Sequence, residues 1–418
     1  MALVVVGGLI ELGLLAAWQR NGYWDFSDGV YTDSAREFLH GLVPYRDFAT
    51  AQPPPVYLVG VLLLAVHDGL VTVRAGAGLA DGLTAALVGV CVWRLSGRRW
   101  LAIAAAAVAP VLPVTLHEHA QLIPETFASP LLLGGALCCA RGRARTGALL
   151  LALAAAFKVA FVIPGIAIAV ASACRRRSVA WFVLFAVLFA AASVAAFGTS
   201  VWRQAIEAQL QVGYASLHYA AGLIAQSIWS EFVLVMGAVA ALVLARHQQL
   251  RDRALLQTLA AAAGGGLLLA LTVFKRGSYV SVLEVAEPPL LALAACGAAW
   301  SWSYWRRLRP LVAVLCVLLV FQSISILVSP GNPWAAKRPG ARSGLAWTAS
   351  PTMVNERVAV ARRCSVGVAY SGDPYYAFLA DRRMPGNQPD LFMLEYAPVD
   401  SEFARQAARD QRRCPARG

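Results

Sequence analysis

Five carboxylates, Asp25, Asp28, Asp33, Glu37 and Asp47, stand within WDFSDGVYTDSAREFLHGLVPYRDF, residues 24–48. A loop carboxylate can take a proton from a hydroxyl, balance a nearby cation or cap a helix. A second polar stretch, HEHAQLIPETFASP at 117–130, brings His117, Glu118, His119 and Glu125. The histidines with Glu118 or Glu125 read either as ligands for a divalent ion or as a plain polar loop, since two histidines rarely suffice for a metal. The complementary charges are cations in apolar settings: Lys158 in AAAFKVAFVIPG, Arg74, and the pair Lys275 and Arg276 in FKRGSYVSVLEVAEPP. Lysine in an apolar run is costly, so Lys158 either snorkels to an interface or holds an anion. Arg74 is read as an anion ligand or an interfacial anchor. Lys275 and Arg276 hold a phosphate or anionic headgroup, or else pair with Glu284 or Glu287.

The elements that position these groups follow from composition. Of 418 residues 59% are hydrophobic and 14% charged, against roughly a quarter charged in soluble domains. So little polar surface requires lipid around much of the exterior, and a mainly α, polytopic transmembrane bundle is predicted. The net charge of +13 is gathered in short arginine clusters between apolar runs, such as Arg94, Arg98 and Arg99, or Arg175 to Arg177. That is the pattern of cytoplasmic loops, not the continuous basic face that nucleic-acid binding needs. Apolar runs predict about eleven spans, from 2–19 to 311–328, with the N-terminus inside. The loops at 20–70, 117–126, 198–228 and 274–286, the turn at Lys158 and the tail after Ser329 then lie outside. The run 147–177 is read as two short helices turning near Lys158, and 53–66 as a helix at the outer surface. Counting 53–66 as a span would invert every later loop. Residues 1–328 form the membrane domain and 329–418 a small extracytoplasmic α/β appendage, with a strand around Val366 to Tyr370 and a helix beginning near Tyr375. Six cysteines lie in or beside apolar runs; Cys364 and Cys414 fall in the tail, where a disulfide is an option outside the cytoplasm.

Within the first outer loop, Ala35, Phe38, Leu39 and Val43 place an apolar stripe on a surface helix from about Asp33 to His40, capped by Asp33 or Thr32 and ended by Gly41. Asp28-Gly29-Val30-Tyr31, Ala35, Gly41 to Phe48, and Gln52-Pro53-Pro54 with Tyr57 together resemble the first outer loop of the GT-C glycosyltransferases. The branch is that of the protein O-mannosyltransferases and the lipid A aminoarabinose transferases, and the likeness spans roughly 20–165. It implies transfer of a sugar from a polyprenyl-phosphate donor to a glycan, lipid or protein acceptor outside the membrane.

Asp28 is the implied base, with Asp25 as runner-up. Phosphate is a stable leaving group, so no second carboxyl acid is needed, whereas cationic stabilisation is. Lys158, Arg74, Arg276 and Lys275 are assigned to the donor phosphate. Glu125 or Glu118 orients substrate, and Tyr31, Asp47, Tyr57 and Tyr219 are further substrate contacts. Gln52 departs from the lysine often found there in the family. No cofactor is implied with certainty, and a divalent metal stays an open alternative. Glu11 and Asp81 are intramembrane acids, read as hydrogen-bonded to each other or as a proton relay. They lend some support to the rival reading, a transporter or flippase of lipid-linked solutes, although no repeat of related halves is seen.

Overall fold

The computed structural model describes residue 8, residues 26–118, 120–247, 252–275, 280–328, 351–364, 367–369, 373–390 and 401–413. The predicted first span, Asp25, His119, Arg276 and Cys414 lie outside the described residues, as does the side chain of His117.

Helices carry nearly all the regular structure. Among the described residues five are long and apolar enough to cross a membrane: Leu70–Ser96, Arg175–Phe197, Leu217–His247, Arg253–Thr272 and Arg306–Ile324. Their surfaces show why lipid is required. Along Arg175–Phe197 only Ser178 and Phe182 are buried, while Val183, Leu184, Val187 and Leu188 point outward. The run around Lys158 folds as its sequence predicts. Ala144–Phe157 stops at Lys158, whose backbone is extended, and the chain turns through Val159–Phe161 into Val162–Ala171. Pro55–Val66 is a helix of 12 residues, about 18 Å long, too short for a hydrocarbon core of about 30 Å.

Arginine-bearing turns meet one another. Arg94 pairs with Asp252 at 3.3 Å, and Arg98 donates to Ser303 Oγ at 3.3 Å. Arg141 lies within electrostatic reach of Cys91 in the helix that carries Arg94.

The first-loop helix is Phe26–Leu39, seven residues longer at its start than the stripe predicts. Asp33 therefore sits in mid-helix and does not cap it; it pairs with Arg36 at 2.7 Å. Three faces of this helix are occupied. Tyr31 packs against Tyr57, and Phe38 against Phe197, with ring centroids 6.0 and 5.9 Å apart. The third face meets the tail. Arg36 donates to the carbonyls of Phe378 and Arg382 at 2.7 and 3.2 Å, and its guanidinium lies 4.5 Å from the Phe378 ring centre.

A Cβ on Gly29 would stand 2.5 Å from the Tyr375 nitrogen, so only glycine permits the approach. Tail residues Tyr375, Ala377 and Phe378 thus share a hydrophobic core with Tyr31, Ala35 and Tyr57. Described tail helices are Pro351–Ala361, Pro374–Ala380 and Ser401–Arg413. The expected strand is reduced, among the described residues, to one bridge between Val368 and Arg383. Cys364 is disulfide-bonded.

Candidate functional site

Three buried carboxylates fix the second outer loop, and each comes from a different element. Glu287 accepts from Val114 N at 2.8 Å and from Thr115 N and Oγ1 at 2.7 Å. Asp81 accepts from Ala120 N at 3.0 Å, where the backbone turns at a positive φ of 54°. Asp28 accepts from Leu122 N at 3.2 Å. Buried N–H groups need such partners, and Asp81, one of the two acids read as a relay, here binds backbone, while Glu11 lies outside the described residues. Glu284 and Glu287 are not counter-ions of Lys275. Glu284 is buried, and burial, reinforced by Asp81, Glu125, Glu118 and Glu287, raises its carboxyl well above the usual range.

So stitched, the loop presents Glu118 and Glu125 to a cavity of about 380 Å³, within the range of small-molecule sites. Lys158 faces the same space and pairs with Glu125 at 2.5 Å. Lys275 comes from another wall, where its ammonium donates to the Gln209 carbonyl and burial lowers its pKa. Tyr31 lines the cavity too; burial raises its hydroxyl well above 10, and Gln52 shares a side-chain hydrogen bond with it. The remaining walls are largely apolar, among them Phe26, Val159, Ala160, Ile206 and Leu210.

Other expected residues stand elsewhere. Asp28 and Arg74 form a buried ion pair at 2.6 Å, 0% and 2% exposed, and neither lines the cavity. Arg74 also shares a side-chain hydrogen bond with Tyr375, so the pair ties the first loop, a span and the tail together. Tyr57 is fully buried and does not line the cavity, and its hydroxyl accepts from Gln52 N at 3.4 Å. Asp47 is held by Arg46 at 2.8 Å, which lowers its pKa, and it accepts from Val43 N at 2.7 Å. Tyr219 lies in the first turn of Leu217–Leu244, outside the cavity lining. No group of three or more metal-ligating side chains occurs among the described residues.

Three polar contributors escape the sequence reading. Gln204 clamps the first loop, donating to Tyr45 O at 2.8 Å and accepting from Thr50 N at 3.0 Å. It belongs to a π-helical turn, Arg203–Glu207, a distortion common near functional sites and invisible to helical periodicity. Gln209 and Asp390 line the cavity, the latter from the tail. Nothing near Asp390 in NQPD marks it beyond a turn.

No family model matches the sequence, and no curated protein does. Among solved structures the chain is similar to ArnT from Cupriavidus metallidurans bound to undecaprenyl phosphate. The TM-score is 0.57 at 13% identity, over 98% of this chain and 73% of that one. This chain has a helical, GT-C-like fold, with five helices among the described residues long and apolar enough to cross a membrane.

Proposed function

We propose that the protein transfers a sugar from a polyprenyl-phosphate carrier to a glycan, lipid or protein acceptor at the outer face of the cytoplasmic membrane. The observation that carries this reading is the cavity wall itself. Lys158 and Lys275, from separate elements, face one space beside carboxylates, in a chain whose arginine clusters occupy other turns. Ammonium groups there neutralise a phosphate diester and then the phosphate that leaves. Apolar residues next to each lysine, Val159 and Phe274, are exposed, as are Val162, Ile163, Leu210 and Leu271, which suits a lipid-linked donor entering from the bilayer. ArnT, the similar structure, holds undecaprenyl phosphate. The Cys364 disulfide suits a tail outside the cytoplasm.

In the reaction an acceptor oxygen attacks the anomeric carbon, the bond from that carbon to the phosphate oxygen breaks, and the acceptor's proton passes to a carboxylate. The configuration inverts. Asp28 is the base the resemblance implies. To serve, its carboxylate must exchange Arg74 for the acceptor, and Arg74 then turns toward the donor phosphate. Glu125 is the second reading, favoured because it already faces the cavity.

Binding of sugar-free polyprenyl phosphate to the purified protein in nanodiscs tests the donor assignment. Lys275→Ala and Lys158→Ala should each weaken it by about tenfold or more, the loss of one charged hydrogen bond. Unchanged binding in both variants, or no binding by wild type, removes the cavity as the donor site.

A further inference from the structure

We propose that Asp390 determines which sugar is transferred, making the tail part of the active site; this rests on the transferase reading above. Asp390 is the one tail residue lining the cavity among the described residues. It is placed there by a bracket of hydrogen bonds. Ala49 N donates to Gln388 Oε1 at 2.8 Å, and Gln388 Nε2 donates to Gly386 O at 3.0 Å. Gly386 N donates to Asp410 Oδ2 at 2.8 Å, and Arg383 pairs with the same carboxylate at 3.0 Å. A Cβ on Gly386 would stand 2.6 Å from Ala407 N, so the turn is pressed onto Ser401–Arg413. Gln388 is fully buried between first loop and tail, and Asp390 follows two residues later.

The groups that share the cavity give Asp390 its task. Lys158 holds Glu125, and Tyr31 lies within electrostatic reach of both Glu125 and Asp390. Asp390 also acts on Tyr57, whose hydroxyl meets the Gln52 backbone. The donor sugar is joined directly to its phosphate. With the phosphate at the lysines, the sugar falls toward Tyr31, Gln52 and Asp390. A carboxylate beside a tyrosine ring suits a sugar: it accepts from hydroxyls while the ring covers a C–H face. Sites built to hydrogen-bond a hydroxyl reject analogues that lack or invert it.

The test uses full-length protein and a panel of polyprenyl-phosphate sugars differing by one hydroxyl epimer. Asp390→Asn exchanges an acceptor oxygen for a donor amide at nearly constant shape. The ratio of kcat/KM between epimeric donors should change by roughly ten- to a hundredfold, while affinity for sugar-free polyprenyl phosphate stays that of wild type. An equal fall for every donor overturns the proposal. So does a change confined to the acceptor's KM, or loss of polyprenyl phosphate binding together with a lowered melting temperature, which marks Asp390 as structural support. If wild type binds polyprenyl phosphate but consumes no donor, the transferase reading fails and this assignment with it.

Discussion

Arg74→Met would strand the Asp28 carboxylate, which is fully buried and keeps Leu122 N–H at 3.2 Å but loses its counter-charge. Asp28→Leu would leave the guanidinium its Tyr375 hydrogen bond but no counter-charge from Asp28. Removing one partner of a buried ion pair costs about 3–5 kcal/mol, because the remaining charge stays desolvated. Replacing both by apolar residues of similar volume is often close to neutral. Here Leu122 N–H would also lose its acceptor, at about 1–3 kcal/mol. Asp28→Leu with Arg74→Met should therefore cost about as much as that one lost bond, well below the sum of the single variants. The coupling should reach at least about 3 kcal/mol, two or more powers of ten in the unfolding equilibrium. Unfolding of the four proteins in mixed micelles measures it. Single losses below about 1 kcal/mol that simply add would refute the buried pair.

Turnover by the same double variant locates the base. A folded protein that is inactive where Arg74→Met alone keeps activity assigns the proton to Asp28, while a folded and active one leaves Asp28 as a strut and passes the role to Glu125.

Three further outcomes follow from the packing around the first loop. Gly29→Ala drives a methyl group into the Tyr375 backbone, so the tail should become far more sensitive to limited proteolysis; unchanged cleavage would contradict the docking. Gln204→Leu leaves Thr50 N and Tyr45 O without their clamp and should cost about 1–3 kcal/mol, read by hydrogen exchange at 45–52. Burial raises the Asp33 carboxyl from 3.8 to about 7 even though Arg36 pulls it down. Its folded pKa exceeds its unfolded one, so this contribution to stability is full below pH 3.8 and is lost as pH rises through about 7. Asp33→Asn should flatten the stability profile between those limits, and an unaltered slope would exclude Asp33 as its source.

Some of the architecture was legible in the chain because it depends on local cost. A lysine ends a helix within lipid, so the turn at Lys158 was visible from AAAFKVAFVIPG. The start of the Phe26–Leu39 helix was not, because Asp28, Asp33 and Arg36 give its buried face a polar pattern. Nor does any local signal show that Gly29 makes room for Tyr375 from the far end of the chain. The same distance in sequence hid the use of Asp81 and Glu287. Each holds N–H groups of a loop about 40 or 170 residues away, and no spacing rule reaches that far. Glu118, Glu125, Lys158, Lys275 and Tyr31 were identifiable by charge, aromatic type or resemblance, and the fold brings them to one cavity.

The most direct test of the proposed activity is donor consumption. Purified protein in nanodiscs would receive radiolabelled polyprenyl-phosphate sugars and a cell-envelope acceptor fraction, with Lys275→Ala in parallel. A sugar transferase consumes one donor, yields sugar-free polyprenyl phosphate in equal amount to the glycosylated acceptor, and slows at least tenfold in the variant. If every donor stays intact while one of them crosses the bilayer, the protein moves lipid-linked sugars and does not transfer them.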